Sequence, residues 1–187
     1  MGAAFGFPKG KKYQVIYADP PWRYRNCASN SRKIENQYPT MSLDDIKKLN
    51  IPSDVNCVLY LWATTAKLLE ALDVLVAWGF DYRSSLVWDK EIIGMGYWFR
   101  GQHEFLLVGV KGKVSPPKQS QRISSVFKER RGVHSKKPNR IRELITLWYP
   151  QEPKIELFAR ENHEGWDVWG DEIPNTTQKT LVRGGIN

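Results

Sequence analysis

The chain has 187 residues, 41% of them hydrophobic, which allows one sizeable core and not two comfortable domains. Two cysteines without ligand-like spacing, Cys27 and Cys57, argue against a disulfide scaffold or a cysteine-rich zinc site. The net charge of +8 is concentrated, with eleven Lys/Arg against one acid between Lys111 and Arg142, which makes a polyanion the natural partner to weigh against a merely solvated loop.

Tyr13 to Ala18 reads as a buried strand, stopped by Pro20 and Pro21 with Asp19 left at its tip. Arg23 to Gln37 is polar and irregular and is expected to be a loop above that strand. Ser42 can cap a short helix ending at Leu49, with Asp44 and Asp45 in its first turn. Asn56 to Trp62 is the next apolar strand. Thr64 or Thr65 then starts a helix running through Trp78 and closed by Gly79, with Leu68, Leu69, Leu72, Leu75 and Val76 as its expected buried stripe. Tyr82 to Trp88 and Phe105 to Val110 read as strands. Periodicity fails from Lys111 to Lys137, apart from a short strand at Ser125 to Phe127, and unstructured segments of that length are usually functional or disordered. Pro138 suits the first turn of a helix reaching Trp148. Lys154 to Ala159 is a strong strand, Trp166 to Trp169 a short one, and the tail from Pro174 is polar. Strands alternating with helices predict one α/β domain with a mostly parallel sheet.

No run approaches the ~18 apolar residues needed to span a membrane, and Met1 to Lys12 lacks the apolar core of a signal peptide. A soluble cytoplasmic protein is expected. His103, His134 and His163 lack metal-ligand spacing, so no metal is expected. No Walker lysine motif and no GxGxxG are present. Asp19-Pro20-Pro21-Trp22 offers a carboxylate, a proline carbonyl free of strand pairing and a flat ring. Two acceptors and a stacking face suit a planar amino group such as a nucleobase amine. The same four residues could equally be a strand-ending turn with an incidental acid.

The chain resembles the MT-A70 family of S-adenosylmethionine-dependent adenine-N6 methyltransferases. The resemblance is carried by an ordered series: Asp19-Pro20-Pro21-Trp22, Tyr38-Pro39-Thr40-Met41, Leu59 to Thr64, Gly94 to Trp98, His103-Glu104, Leu107 to Gly112, His134 to Pro138, Glu156 to Arg160 and Gly165-Trp166. It implies a permuted Rossmann-like fold, with the catalytic motif ahead of the cofactor-binding strand and both strand tips at one sheet edge. It implies Asp19, Pro20, Pro21 and Trp22 as the catalytic residues, in a cell of bacteria or one infected by phage.

For the cofactor, S-adenosylmethionine, the resemblance points to Ala18 and Asp19, to Lys137 for the methionine carboxylate, and to Arg160, Asn162 and His163 near the ribose. Asp171 and Glu172 follow. Relatives commonly carry asparagine at the first of these, so Asp171 lacks the amide donor but can still accept. For the substrate it points to Trp22, Tyr24, Arg25, Tyr38, Trp98 and Arg100, and the basic stripe adds Lys118, Arg122, Lys128, Arg130 and Arg131. DNA is favoured over RNA, with a monomer or homodimer, and a partner subunit remains open. The competing readings are the same chemistry on RNA and a nucleic-acid-binding partner without catalysis.

Overall fold

The computed structural model describes residues 7–8, 10–24, 39–132 and 136–170. Seven strands form a single sheet: β1 (Tyr13–Ala18), β2 (Ser53–Thr64), β3 (Asp81–Asp89), β4 (His103–Lys111), β5 (Val126–Lys128), β6 (Lys154–Leu157) and β7 (Asp167–Trp169). Their order is β5-β3-β4-β2-β1-β6-β7. Only β4 runs antiparallel to its neighbours, so the mostly parallel α/β sheet expected from the sequence is present.

The two faces follow from strand alternation. Ile16 and Ala18 point to one face with Leu59, Leu61 and Leu107, where the helices α1 (Leu43–Lys47) and α2 (Leu68–Ala77) deliver Ile46, Ala71, Val74 and Leu75. Val15 and Tyr17 point to the other with Val58, Tyr60 and Trp62, covered by Ile141, Leu144 and Ile145 of α3 (Asn139–Trp148).

Local signals placed most boundaries. Ser42 caps α1, accepting the Asp45 N–H at 3.2 Å. Gly79, at φ +80, ends α2 while the Phe80 N–H reaches back to the Leu75 carbonyl at 3.0 Å. Three expectations need correction. The stripe on α2 is wrong on one side: Leu69 and Val76 are exposed (78% and 69%). A 3-10 turn at Thr65–Lys67 precedes α2, and Trp78, anchored by its indole N–H on the Ile46 carbonyl at 3.0 Å, pulls the Ala71–Val74–Leu75 side inward. β2 extends further than Asn56 to Trp62, because β4 pairs with it out to Thr64. β6 stops at Leu157, since Phe158 adopts φ +61 and leaves the strand direction.

The pairing of β1 with β6 organises the rest. Ala18 lies opposite both Leu61 of β2 and Leu157 of β6. The residues after β1 and β6 therefore emerge side by side, at the carboxyl edge where open α/β sheets hold ligands.

Behind that edge, Glu156 of β6 is tied to α3. Arg142 Nε lies 2.8 Å from its Oε2, and Arg142 Nη1 lies 2.8 Å from His163 Nδ1. Burial pushes the Glu156 carboxyl up from 4.5 to about 7, against the pull of Arg142. The folded state therefore holds this proton longer than the unfolded chain does. The stability it contributes is complete below pH 4.5 and is lost as pH rises through about 7. Glu156→Gln should remove that loss. Urea melts at pH 5 and pH 8 should find the variant gaining on the parent at the higher pH, by on the order of 1–3 kcal/mol.

Candidate active site at the carboxyl edge

Asp19 stands directly beyond β1, held by the stiff turn that follows. The Trp22 N–H donates to the Pro20 carbonyl at 2.8 Å, and the Met41 N–H to the Pro21 carbonyl at 2.9 Å. The Pro20 carbonyl takes part in no strand pairing, as the sequence suggested, but the turn itself uses one of its two acceptor positions and leaves one. Trp22 is at once core and lining: it is 6% exposed, donates its indole N–H to the Trp62 carbonyl at 3.2 Å, and borders the cavity.

That cavity has a volume of about 210 Å³. Asp19, Pro20, Pro21, Trp22 and Tyr24 line one side, and Phe158, Ala159, Arg160, Trp169 and Gly170 the other. Tyr24 is fixed by a 2.8 Å hydrogen bond between its hydroxyl and that of Thr64. Lys137 and Glu104 complete the lining. Lys137 Nζ lies 2.7 Å from Asp19 Oδ2 and 3.4 Å from Glu104 Oε2, and Lys90 meets the other Glu104 oxygen at 3.2 Å. Burial lifts the Asp19 carboxyl above the ordinary carboxylate range, and Lys137 pulls it back. Burial likewise works against the Lys137 charge, but Asp19 and Glu104 outweigh it and hold the ammonium above the ordinary lysine value.

Backbone strain sits in the same wall. Phe158 is a non-glycine residue in the left-handed region, a conformation that persists only where its surroundings enforce it. Its ring meets Trp169 at 5.4 Å, and the Ala159 N–H bonds the Trp169 carbonyl at 3.0 Å. Gly170 is required here, since a Cβ would stand 2.1 Å from the Ala159 carbonyl oxygen.

Among the expected site residues, the structure gathers Asp19, Pro20, Pro21, Trp22, Tyr24, Lys137 and Arg160 around one cavity, with Ala18 immediately behind. It turns His163 away: the imidazole packs with Arg142 and Glu156, and burial and Arg142 together hold its pKa down. Asn162 is exposed and outside the cavity lining. Trp98 and Arg100 lie on the hairpin between β3 and β4, and Lys128, Arg130 and Arg131 on the strap beside it. Lys118 goes elsewhere. It borders a hollow with Gln14 and Asn56, at the amino ends of β1 and β2, on the opposite edge from Asp19. Arg122 donates to the Pro117 carbonyl at 3.0 Å and borders a larger, mainly apolar hollow of about 770 Å³ over β3 and β4. Arg25, Tyr38, Asp171 and Glu172 lie outside the described residues. Sequence reasoning overlooked Glu104 as a site residue. Its signal was an acid heading an otherwise apolar strand. No group of His, Cys, Asp and Glu able to hold a metal ion is found among the described residues, and no helix among them is long and apolar enough to cross a membrane.

The donor set suits a zwitterionic, partly aromatic ligand. Lys137 and Arg160 offer cationic ends, Asp19 a carboxylate, and Phe158 with Trp169 an apolar wall. The MT-A70 family profile matches residues 13–172. A type II methyltransferase, M.MunI, from Mycoplasma sp is 36% identical over 95% of this chain and 84% of its own length. The N(6)-adenosine-methyltransferase catalytic subunit METTL3 of Homo sapiens is 30% identical over 87% of this chain, which spans only 28% of that protein. The N(6)-adenine-specific methyltransferase METTL4 of Mus musculus is 26% identical over 88% of this chain and 38% of its own length. With a profile match across the whole sheet and near end-to-end similarity to a methyltransferase, this chain belongs to the MT-A70 family.

Proposed function

We propose that the protein transfers a methyl group from S-adenosylmethionine to the N6 amino group of adenine in DNA. The observation that carries this reading is the pairing, in one cavity, of the Asp19 carboxylate and the Pro20 carbonyl beside two aromatic rings, Trp22 and Tyr24. DNA is favoured because similarity runs nearly end to end with a type II methyltransferase. The 30% identity to a protein named for adenosine supports RNA as the second reading.

The adenine amine is a weak nucleophile because its lone pair is shared with the ring. Asp19 accepts one amino hydrogen and the remaining acceptor position of Pro20 takes the other. Both then favour a tetrahedral nitrogen. Trp22 and Tyr24 hold the base plane, a kind of contact worth ~1–3 kcal/mol per base. S-adenosylmethionine, when bound, would supply a methyl group on a positively charged sulfur, the S–CH3 bond breaking as the N–CH3 bond forms and S-adenosylhomocysteine leaving as a neutral thioether. Lys137 and Arg160, which line the cavity, would hold the carboxylate and ribose ends of the donor. The nitrogen gains positive charge as it reacts, so a fixed carboxylate stabilises the transition state more than neutral adenine. Asp19 need not deprotonate the amine beforehand; it can take the proton once the nitrogen is cationic.

Asp19→Asn keeps the shape and removes the charge. Methylation of adenine, followed by nucleoside mass spectrometry, should fall by about 10²–10³-fold, the range for losing one preorganised electrostatic contact. Cofactor binding by calorimetry should change much less. An unchanged rate would remove Asp19 from the chemistry. The basic strap gives a second expectation. Lys128, Arg130 and Arg131 flank the site edge, so the log of DNA affinity should fall linearly with log salt, and each alanine substitution among them should reduce that slope by about 0.9. Substitution of Lys118, on the opposite edge, should leave the slope unchanged.

A further inference from the structure

The hairpin between β3 and β4, residues 90–102, carries Trp98 and Arg100 of the expected substrate set, yet none of its residues lines the cavity. Its neck is fixed. The Lys90 N–H donates to the Gln102 carbonyl at 2.9 Å, Gly94 N–H to the Gly101 carbonyl at 2.8 Å, and Gly101 N–H to the Met95 carbonyl at 3.1 Å. Arg100 folds back, with Nε donating to the Gly94 carbonyl at 2.7 Å. At the root, Asp89 Oδ1 accepts from Gln102 Nε2 at 2.8 Å. Gly94 and Gly96 are needed where they stand: a Cβ would lie 2.7 Å from the Gly101 oxygen and 1.9 Å from the Phe99 oxygen respectively. All this rigidity supports a tip that buries nothing. Tyr97, Trp98 and Phe99 are 100%, 94% and 89% exposed. Three adjacent exposed aromatics form the kind of patch that marks an interaction site.

Position selects the partner. β3 runs parallel with β1 across the sheet and β4 returns, so the hairpin leaves the sheet at the edge that carries Asp19. Its first residue, Lys90, is joined to Asp19 through Glu104 and Lys137. A basic strap borders its root: the Glu129 N–H donates to the Asp89 carbonyl and the Arg131 N–H to the Lys90 carbonyl, both at 3.2 Å. The aromatic tip is therefore flanked by Lys128, Arg130 and Arg131. Cations beside flat apolar rings match a phosphate backbone around a base stack. A second copy of the chain fits less well, because pairing through the tips would set its own Lys128, Arg130 and Arg131 near the same cations.

An adenine inside a duplex must leave the stack before its amine can reach Asp19. Apolar side chains inserted between base steps are one way to open a stack. We propose that Tyr97, Trp98 and Phe99 form a wedge that enters duplex DNA beside the target adenine and holds open the step the base has left. This rests on the adenine reading and adds that the hairpin serves duplex rather than single-stranded substrate.

The test compares initial methylation rates on plasmid DNA free of N6-methyladenine, as intact duplex and as heat-separated strands. The protein is compared with a variant carrying Tyr97→Ser, Trp98→Ser and Phe99→Ser. The ratio of duplex to single-strand rate should fall about tenfold or more in the variant. Equal losses on both substrates would overturn the wedge. A chemistry-free arm uses closed circular plasmid relaxed by a topoisomerase with the protein bound. A wedge unwinds the duplex, so the parent should shift the linking number and the variant should not. No shift with the parent would overturn the proposal. Loss of methyl transfer to either DNA by the parent, with the shift intact, would instead sink the adenine reading and leave the wedge standing. If sedimentation found a parent dimer and a variant monomer, the tip would be a self-association surface, and the wedge would be wrong.

Discussion

One ammonium group carries the site. Lys137 stands between two carboxylates, 2.7 Å from Asp19 and 3.4 Å from Glu104, and all three are largely withdrawn from water. Burial lifts the Asp19 carboxyl above the ordinary carboxylate range, and the Lys137 ammonium is the main force pulling it back. Replacing the lysine by an apolar residue would leave Glu104 its contact with Lys90 but take from Asp19 its paired ammonium, and breaking a buried pair typically destabilises by on the order of 3–5 kcal/mol. The interaction also joins three distant pieces of chain. Asp19 follows β1, Glu104 opens β4, and Lys137 precedes α3. The sheet brings them together because β4 runs backwards, so its first residues share an edge with the last residues of β1 and β6.

The same edge divides labour between flat and charged surfaces. On one side the left-handed Phe158, the Trp169 ring and the glycine at 170 form a close-fitting wall suited to the cofactor. On the other, Trp22 and Tyr24 form the wall suited to a base. Further out, along β3 and β5, the strap and the aromatic hairpin offer the means to grip a backbone and open a stack. On the proposed reading, the order from centre to rim is reacting group, base, backbone.

Much of this was legible in the sequence, for identifiable reasons. β1 was readable because an apolar run ends in two prolines, and the ends of α1 and α2 because Ser42 and Gly79 act locally. The Asp19 tetrapeptide stands out because two prolines end an apolar run and leave an acid at the strand tip, where open α/β sheets hold ligands. Features that depend on pairing were not readable. Glu104 becomes a site residue only through the register of β4 on β2, which sets Glu104 opposite Thr64. The buried side of α2 was misread because Leu69 and Val76 make the helix apolar nearly all round, and only Trp78 and the preceding 3-10 turn choose the face. Basic residues close in sequence were read as one surface. The chain instead carries Lys118 to the amino edge and Lys128 to the carboxyl edge, a separation that charge counting cannot register.

On the proposed reading, this edge places the adenine N6 amine, and no other base atom, in reach of the methyl donor. The most direct measurement incubates the protein with isotopically labelled S-adenosylmethionine and equal amounts of duplex DNA, single-stranded DNA and RNA of the same sequence. Each substrate is then digested to nucleosides and the label located by mass spectrometry. The account predicts label on the N6 nitrogen of deoxyadenosine, in DNA ahead of RNA. Label on a ring nitrogen or on cytosine would contradict it, because Asp19 and Pro20 would then be holding the wrong group.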